Sequence, residues 1–189
     1  MPERIQDASP RPRARMTGVV YLLYFLTAIV AQLLVSRKLD VYGNATNLIA
    51  DGLYAVLTVL LYLLFKPVSR RLSLIAALIG FAGCAVMILG LIPGASIPVS
   101  PLVFFGPYCL LIGYLVFRSA FMPRILGVLM ALAGCGWLAF LSPAVQLHLT
   151  LYIEILGVLA EASLMLWLIV MGVDVQRWNA QSLATEETQ

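Results

Sequence analysis

Two carboxylic acids, Glu154 and Glu161, stand seven residues apart inside the otherwise apolar run 151-LYIEILGVLAEASLMLWLIV-170. At 100° per residue, seven positions return to within about 20° of the start, so the pair shares a helical face with two turns, roughly 10 Å, between them. Gly157, Met165, Leu168 and Gly172 fall on or near the same stripe. Carboxyls placed this way can accept hydrogen bonds from a ligand, load and release protons, or act as general acids. Glu161 falls near the middle of its run, where an ionised acid costs about 2.5–3.5 kcal/mol on insertion scales. It is therefore expected to face other helices rather than lipid, and to keep its proton unless a cation or several donors are close.

The polar groups within reach of such a site are tyrosines, threonines and an amide. Asp51, Tyr54, Thr58 and Tyr62 lie within about 80° of one another on one helical face. Thr17, Tyr21, Tyr24 and Gln32 make a second polar face, and Tyr108 and Tyr114 add a third. Three segments can thus turn polar stripes toward Glu161. Hydrogen-bonding glue between membrane helices, worth about 0.6–2 kcal/mol per contact, would use some of these groups. Two acids on one face, with an aspartate and several tyrosines on inward faces, exceed that need, and the pattern favours a functional polar cavity.

The elements that position these residues follow from composition. The chain has 189 residues, 62% of them hydrophobic and 11% charged; a soluble domain has about 45–50% apolar and 25% charged residues. This is the composition of an all-α membrane protein. Six apolar stretches are expected to cross: 16–36, 47–65, 72–92, 101–117, 125–141 and 149–173. Each approaches the roughly 20 residues that span a hydrocarbon core of about 30 Å, with the fourth and fifth at the short end. Together they form a six-transmembrane-helix bundle at 16–173, between a flexible basic arm at 1–15 and a polar tail at 174–189. A β-barrel would instead need short alternating segments.

Six crossings put both termini on one side. That side then holds Arg4, Arg11, Arg13, Arg15, Lys66, Arg70, Arg71, Arg118, Arg124 and Arg177, against only Arg37 and Lys38 on the other. The positive-inside rule makes the first side, with both termini, cytoplasmic. The first apolar run is too long for a signal peptide and is followed by no evident cleavage site, so it reads as an uncleaved helix. The longest external connection, around Arg37–Asn47, leaves no room for a soluble catalytic module. Nucleic acid binding has no support in the charge pattern.

Small residues at Ala76/Gly80/Cys84 and Gly127/Ala131/Gly134 recur at the spacing that lets helix backbones approach closely. Cys84, Cys109 and Cys135 match no metal or redox spacing and read as small apolar side chains. His148 is the single histidine, and without a second ligand beside it no metal or other cofactor is implied. An internal three-plus-three repeat of the transporter kind is not evident.

The strings 14-ARMTGVVYLLYFLTAIVAQ-32, 62-YLLFKPVSRRLSLIAAL-78, 113-GYLVFRSAFMPRILGVLMALAGCGW-137 and 161-EASLMLWLIVMGVD-174 resemble the bacterial integral-membrane family known as domain of unknown function 4386. The most specific piece is Gly-Tyr-Leu-x-Phe-Arg-Ser followed by Pro-Arg-x-Leu-Gly. The resemblance implies a small multi-helix bundle of the bacterial inner membrane with no assigned reaction. By position, Arg118, Pro123, Arg124, Gly127 and Glu161 match the family's recurrent pattern. The family often has Lys where Met171 stands and an acid near Phe140, so this chain lacks two polar groups seen in relatives.

Three functional classes fit these residues. In the first, an interior pocket around Glu161 holds a lipid-like or small apolar ligand, with nearby tyrosines fixing its polar end. In the second, Glu161 and Glu154 carry protons for a small-solute carrier. In the third, a protonated Glu161 acts as general acid with Glu154 or Asp51 as partner; the lack of a nucleophile–base pair, metal triad or phosphate loop counts against it. The first is preferred, with the bilayer and that ligand as the expected partners.

Overall fold

Apolar runs in a bilayer must satisfy their backbone polar groups within the segment, which selects helices. The computed structural model describes residues 9–92, 101–139 and 141–186, and within them the chain is all-helical. Seven helices follow in order: α1 Pro10–Ser36, α2 Asp40–Phe65, α3 Arg70–Gly90, α4 Leu102–Arg118, α5 Arg124–Ala139, α6 Pro143–Val170 and α7 Val175–Glu186. Four of them, α1, α2, α3 and His148–Val170 within α6, are long and apolar enough to cross a membrane. The apolar α4 and α5, of 17 and 16 residues, extend about 24–26 Å at 1.5 Å per residue, a little short of a full hydrocarbon core.

Each of α1 to α6 packs on the next, and α1 also packs on α6, so the six form a closed ring. The helix boundaries differ from the sequence expectation where polar residues prove helical. Helix α1 takes in residues 10–15 of the basic arm, with Pro10 at its first turn, where a missing N–H is harmless. Helix α2 begins at Asp40, so the expected external loop through Asn47 shrinks to a tight reversal. There Lys38 adopts a left-handed conformation (φ 61°), and the Leu39 N–H reaches back to the Leu34 carbonyl at 3.0 Å, closing the end of α1.

The expected polar tail contains α7. Gly172, at φ +68°, turns the chain out of α6, and the Arg177 N–H donates to Asp174 Oδ1 at 3.2 Å, capping the new helix. Trp178 Nε1 donates to the Leu64 carbonyl at 3.0 Å and Thr185 Oγ1 to the Pro67 carbonyl at 2.7 Å. Gln181 bonds both the Ala120 N–H and the Arg118 carbonyl. Helix α7 is thereby tied across the two basic corners, α2–α3 and α4–α5.

The α4–α5 corner explains the Gly-Tyr-Leu-Val-Phe-Arg-Ser and Pro-Arg-Ile-Leu-Gly strings as packing. A Cβ on Gly127 would stand 2.6 Å from the Gly113 carbonyl oxygen and 2.6 Å from the Phe117 nitrogen. One on Gly113 would stand 2.7 Å from Ala131 N. Gly106 and Gly134 repeat the contact one heptad away, with 2.8 Å from a Gly134 Cβ to the Gly106 carbonyl oxygen. Backbone thus lies directly on backbone. At the corner itself Phe121 and Met122 are buried, Phe121 stacks on Phe65 with ring centroids 6.1 Å apart, and the Arg124 guanidinium lies 5.6 Å from the Phe117 ring centroid.

Gly127→Ala should destabilise the bundle by about 1–3 kcal/mol, because the obstructing atoms are main chain and the two helices must separate. Gly83→Ala, whose Cβ meets only Phe104 Cβ at 3.4 Å, should leave stability within about 0.5 kcal/mol. Unfolding of the two variants in mixed micelles checks the contrast.

Candidate functional site

Burial sorts the predicted polar residues. Glu161 is 5% exposed, and it accepts a hydrogen bond from Tyr21 Oη at Oε2, 2.9 Å away. This bond joins α6 to α1 across the seam where the ring closes. Ala160, Leu164, Met165 and Leu168 are buried on the same side of α6, so the inward orientation expected for Glu161 holds.

Glu154 does not share that environment. It is exposed, because the first half of α6 buries a rotated face. Ile153 packs over Gly136, and Gly157 sits against the Trp137 ring, where an added Cβ would stand 2.5 Å from Cζ2. Gln32 is likewise exposed on α1, where the neighbouring Ala31 is the buried position. Tyr114 is 48% exposed, since Ile112, Leu115 and Val116 are buried and Gly113 packs on α5. Tyr62 is half-buried toward the other end of α2. Thr58 is buried, and its hydroxyl is used within its own helix, donating to the Tyr54 carbonyl at 2.9 Å.

The remaining predicted residues come together. Starting from Tyr21, rings run inward and across the bundle. Tyr21 to Tyr24 is 6.3 Å between centroids, Tyr24 to Tyr54 is 5.2 Å, and Tyr54 to Tyr108 is 5.7 Å. Phe105 lies 6.2 Å from Tyr54 and 5.4 Å from Trp137, at the tilted and edge-on angles aromatic pairs favour. Four helices contribute to this aromatic layer from α1, α2, α4 and α5.

Beside the layer is a half-enclosed cavity of about 190 Å³ between α1, α2, α3 and α4. Tyr24, Asp51, Tyr54 and Tyr108 line it, opposite a wall of small and apolar groups that includes Gly80, Gly83, Cys84 and Phe104. The glycines make the room: a Cβ on Gly80 would approach Thr58 Oγ1 to 3.1 Å and Tyr108 Cε2 to 3.2 Å. Pro107 lies within α4 at this level, which removes one helical hydrogen bond from that wall. Glu161 does not line the cavity.

One buried polar atom of the lining, Asp51 Oδ2, has no hydrogen-bond partner among the described residues, while the Tyr108 hydroxyl has the Thr58 side chain beside it. Most buried polar atoms in folded proteins are paired, and an unpaired one costs about 1–3 kcal/mol. Sequence reasoning placed Asp51 in a stripe directed at Glu161. The structure instead gives it a space of its own, and Cys84, read as packing alone, is part of that wall, its thiol 4.0 Å from the Asp51 carbonyl oxygen.

The Tyr21–Glu161 bond gives a direct expectation. Tyr21→Phe removes the donor from a buried carboxyl and should cost about 0.6–2 kcal/mol. Glu161→Gln keeps an acceptor in place and should cost less than Glu161→Ala, which also leaves a void. A double-mutant cycle of Tyr21→Phe and Glu161→Gln, read by reversible unfolding in micelles, measures the coupling.

An "Uncharacterized protein" of the archaeon Archaeoglobus fulgidus is 27% identical over 150 residues, which cover 74% of this chain and 89% of the relative. No solved structure gives a significant match. Residues 97–172 match the family model "Domain of unknown function (DUF4386)". That span runs from just before α4 to the end of α6, and includes both the glycine-packed corner and Glu161. The family resemblance read from the sequence is therefore shown over residues 97–172, as a match to DUF4386.

Proposed function

We propose that this chain is a six-span protein of a bacterial cytoplasmic membrane, with both termini inside, whose α1–α4 cavity binds a small apolar or lipid-like ligand by a polar end. The cavity carries the reading. It joins an apolar wall to a few convergent polar groups, the composition of small-molecule sites, and one of them, Asp51, has a buried carboxylate oxygen with no partner among the described residues.

Charge supports the orientation. Lys66, Arg70, Arg71, Arg118, Arg124 and Arg177 gather at the end of the ring that α7 covers, and Arg37 and Lys38 lie at the turn opposite. Glu161 has a supporting role in this reading, holding Tyr21 and through it the edge of the aromatic layer, rather than touching the ligand. The carrier reading loses its second proton site, since Glu154 is exposed. The general-acid reading loses its donor, since Glu161 stands outside the cavity lining.

Native mass spectrometry of protein extracted gently from its own membrane should find a small molecule retained by wild type and lost from Gly83→Leu, which fills the cavity from a position with room for a Cβ. Equal retention by both proteins, or none by either, would remove the ligand-site reading. Orientation is checked separately in intact cells, in a background with the native cysteines replaced. An impermeant thiol reagent should label Lys38→Cys and spare Arg70→Cys.

A further inference from the structure

We infer that the cavity recognises an organic ammonium ion with apolar substituents, held by Asp51 and the tyrosine faces. This deepens the ligand-site reading above and rests on it. Among the described residues, the lining supplies one carboxylate and no cation, since no Lys, Arg or His is part of it. Residues 93–100, which follow α3 in sequence, carry no charge either. Asp51 forms no ion pair among the described residues, and Tyr24 and Cys84 share the cavity wall with it. An acid kept among apolar and aromatic groups without a counter-ion is costly, and a cationic ligand offsets that cost.

The aromatic groups point to the same chemistry. Tyr24, Tyr54 and Tyr108 line the cavity together with Phe104 and Phe105. Ring faces attract cations through their quadrupoles, and a cation flanked by several rings and an acid is the arrangement that selects alkylammonium groups. Asp51 Oδ2, without a partner among the described residues, can accept a hydrogen bond from an ammonium N–H, and the Tyr108 oxygen keeps acceptor capacity beside it. A ligand bearing only acceptors, such as a quinone carbonyl, would satisfy the tyrosine hydroxyl and leave the aspartate unpaired. An anionic ligand would face the carboxylate directly. The space of about 190 Å³ suits a small substituted amine rather than a whole phospholipid.

The test compares N,N-dimethylbenzylammonium with isobutylbenzene, its uncharged carbon isostere, by titration calorimetry of the full chain in lipid nanodiscs with empty nanodiscs as the blank. Wild type should bind the ammonium about tenfold or more tightly than the hydrocarbon. Asp51→Asn, checked for an unchanged melting transition, should bind both equally. Equal binding of the two by wild type, abolished in Gly83→Leu, would overturn ammonium recognition while leaving the cavity as a ligand site. A preference that persists in Asp51→Asn would also overturn it. Binding of neither compound by wild type would overturn both readings.

Discussion

The hydrogen bond from Tyr21 Oη to Glu161 Oε2, 2.9 Å long and buried, joins the first helix of the ring to the last. The other extensive helix–helix packings in the ring are between sequence neighbours, which short connections bring together at little entropic cost. Closure between α1 and α6 is the long-range event, and its buried polar component is a tyrosine and an acid that lipid would not solvate. At the exposed end Arg15 Nη2 also donates to the Val170 carbonyl at 3.2 Å. Once α6 is seated, Tyr21 is fixed, and Tyr24 and Phe25 stack beside it. The aromatic layer that bounds the cavity thus starts from a bond that does not itself line the cavity.

Two kinds of packing surround this layer. Between α4 and α5 the glycines bring main chain onto main chain, and the result is a close-packed seam. Between α2, α3 and α4 the small residues Gly80 and Gly83 instead face Tyr108, Thr58 and Phe104, where side chains keep the backbones apart and space remains. The same residue type therefore closes one seam and opens the other. Helix α7 lies across the corners at the basic end, where Trp178 and Thr185 bond carbonyls of the α2–α3 corner and Gln181 bonds the α4–α5 corner. It fixes the ends of helices whose middles form the cavity.

Much of this was legible in the sequence. Apolar length located all six ring helices, because only a helix satisfies a backbone in lipid. The cost of an acid at that depth turned Glu161 inward, and the tyrosines at 21, 24, 54 and 108 followed from helical spacing. Periodicity failed where it assumed one buried face per helix. Glu154 shares an angle with Glu161, but the first half of α6 packs Ile153 and Gly157 against α5 and leaves Glu154 outside. Gln32 and Tyr114 left the site for the same reason, since an adjacent smaller or apolar residue took the buried position. The cavity itself is a residue of imperfect packing among four helices, and no single segment encodes it. Helix α7 had local signals, Asp174 as a cap and Trp178 as an apolar anchor, that its polar composition concealed.

In this reading the space beside Tyr24, Asp51 and Tyr108 is kept open for an occupant. A crystal structure grown from lipidic mesophase, with no added ligand, tests it most directly. Density is expected for a small molecule in contact with the Tyr24 and Tyr54 rings, with its polar end at Asp51. A collapsed space, with Tyr108 Oη swung onto the Asp51 carboxylate so that the two satisfy each other, would contradict it.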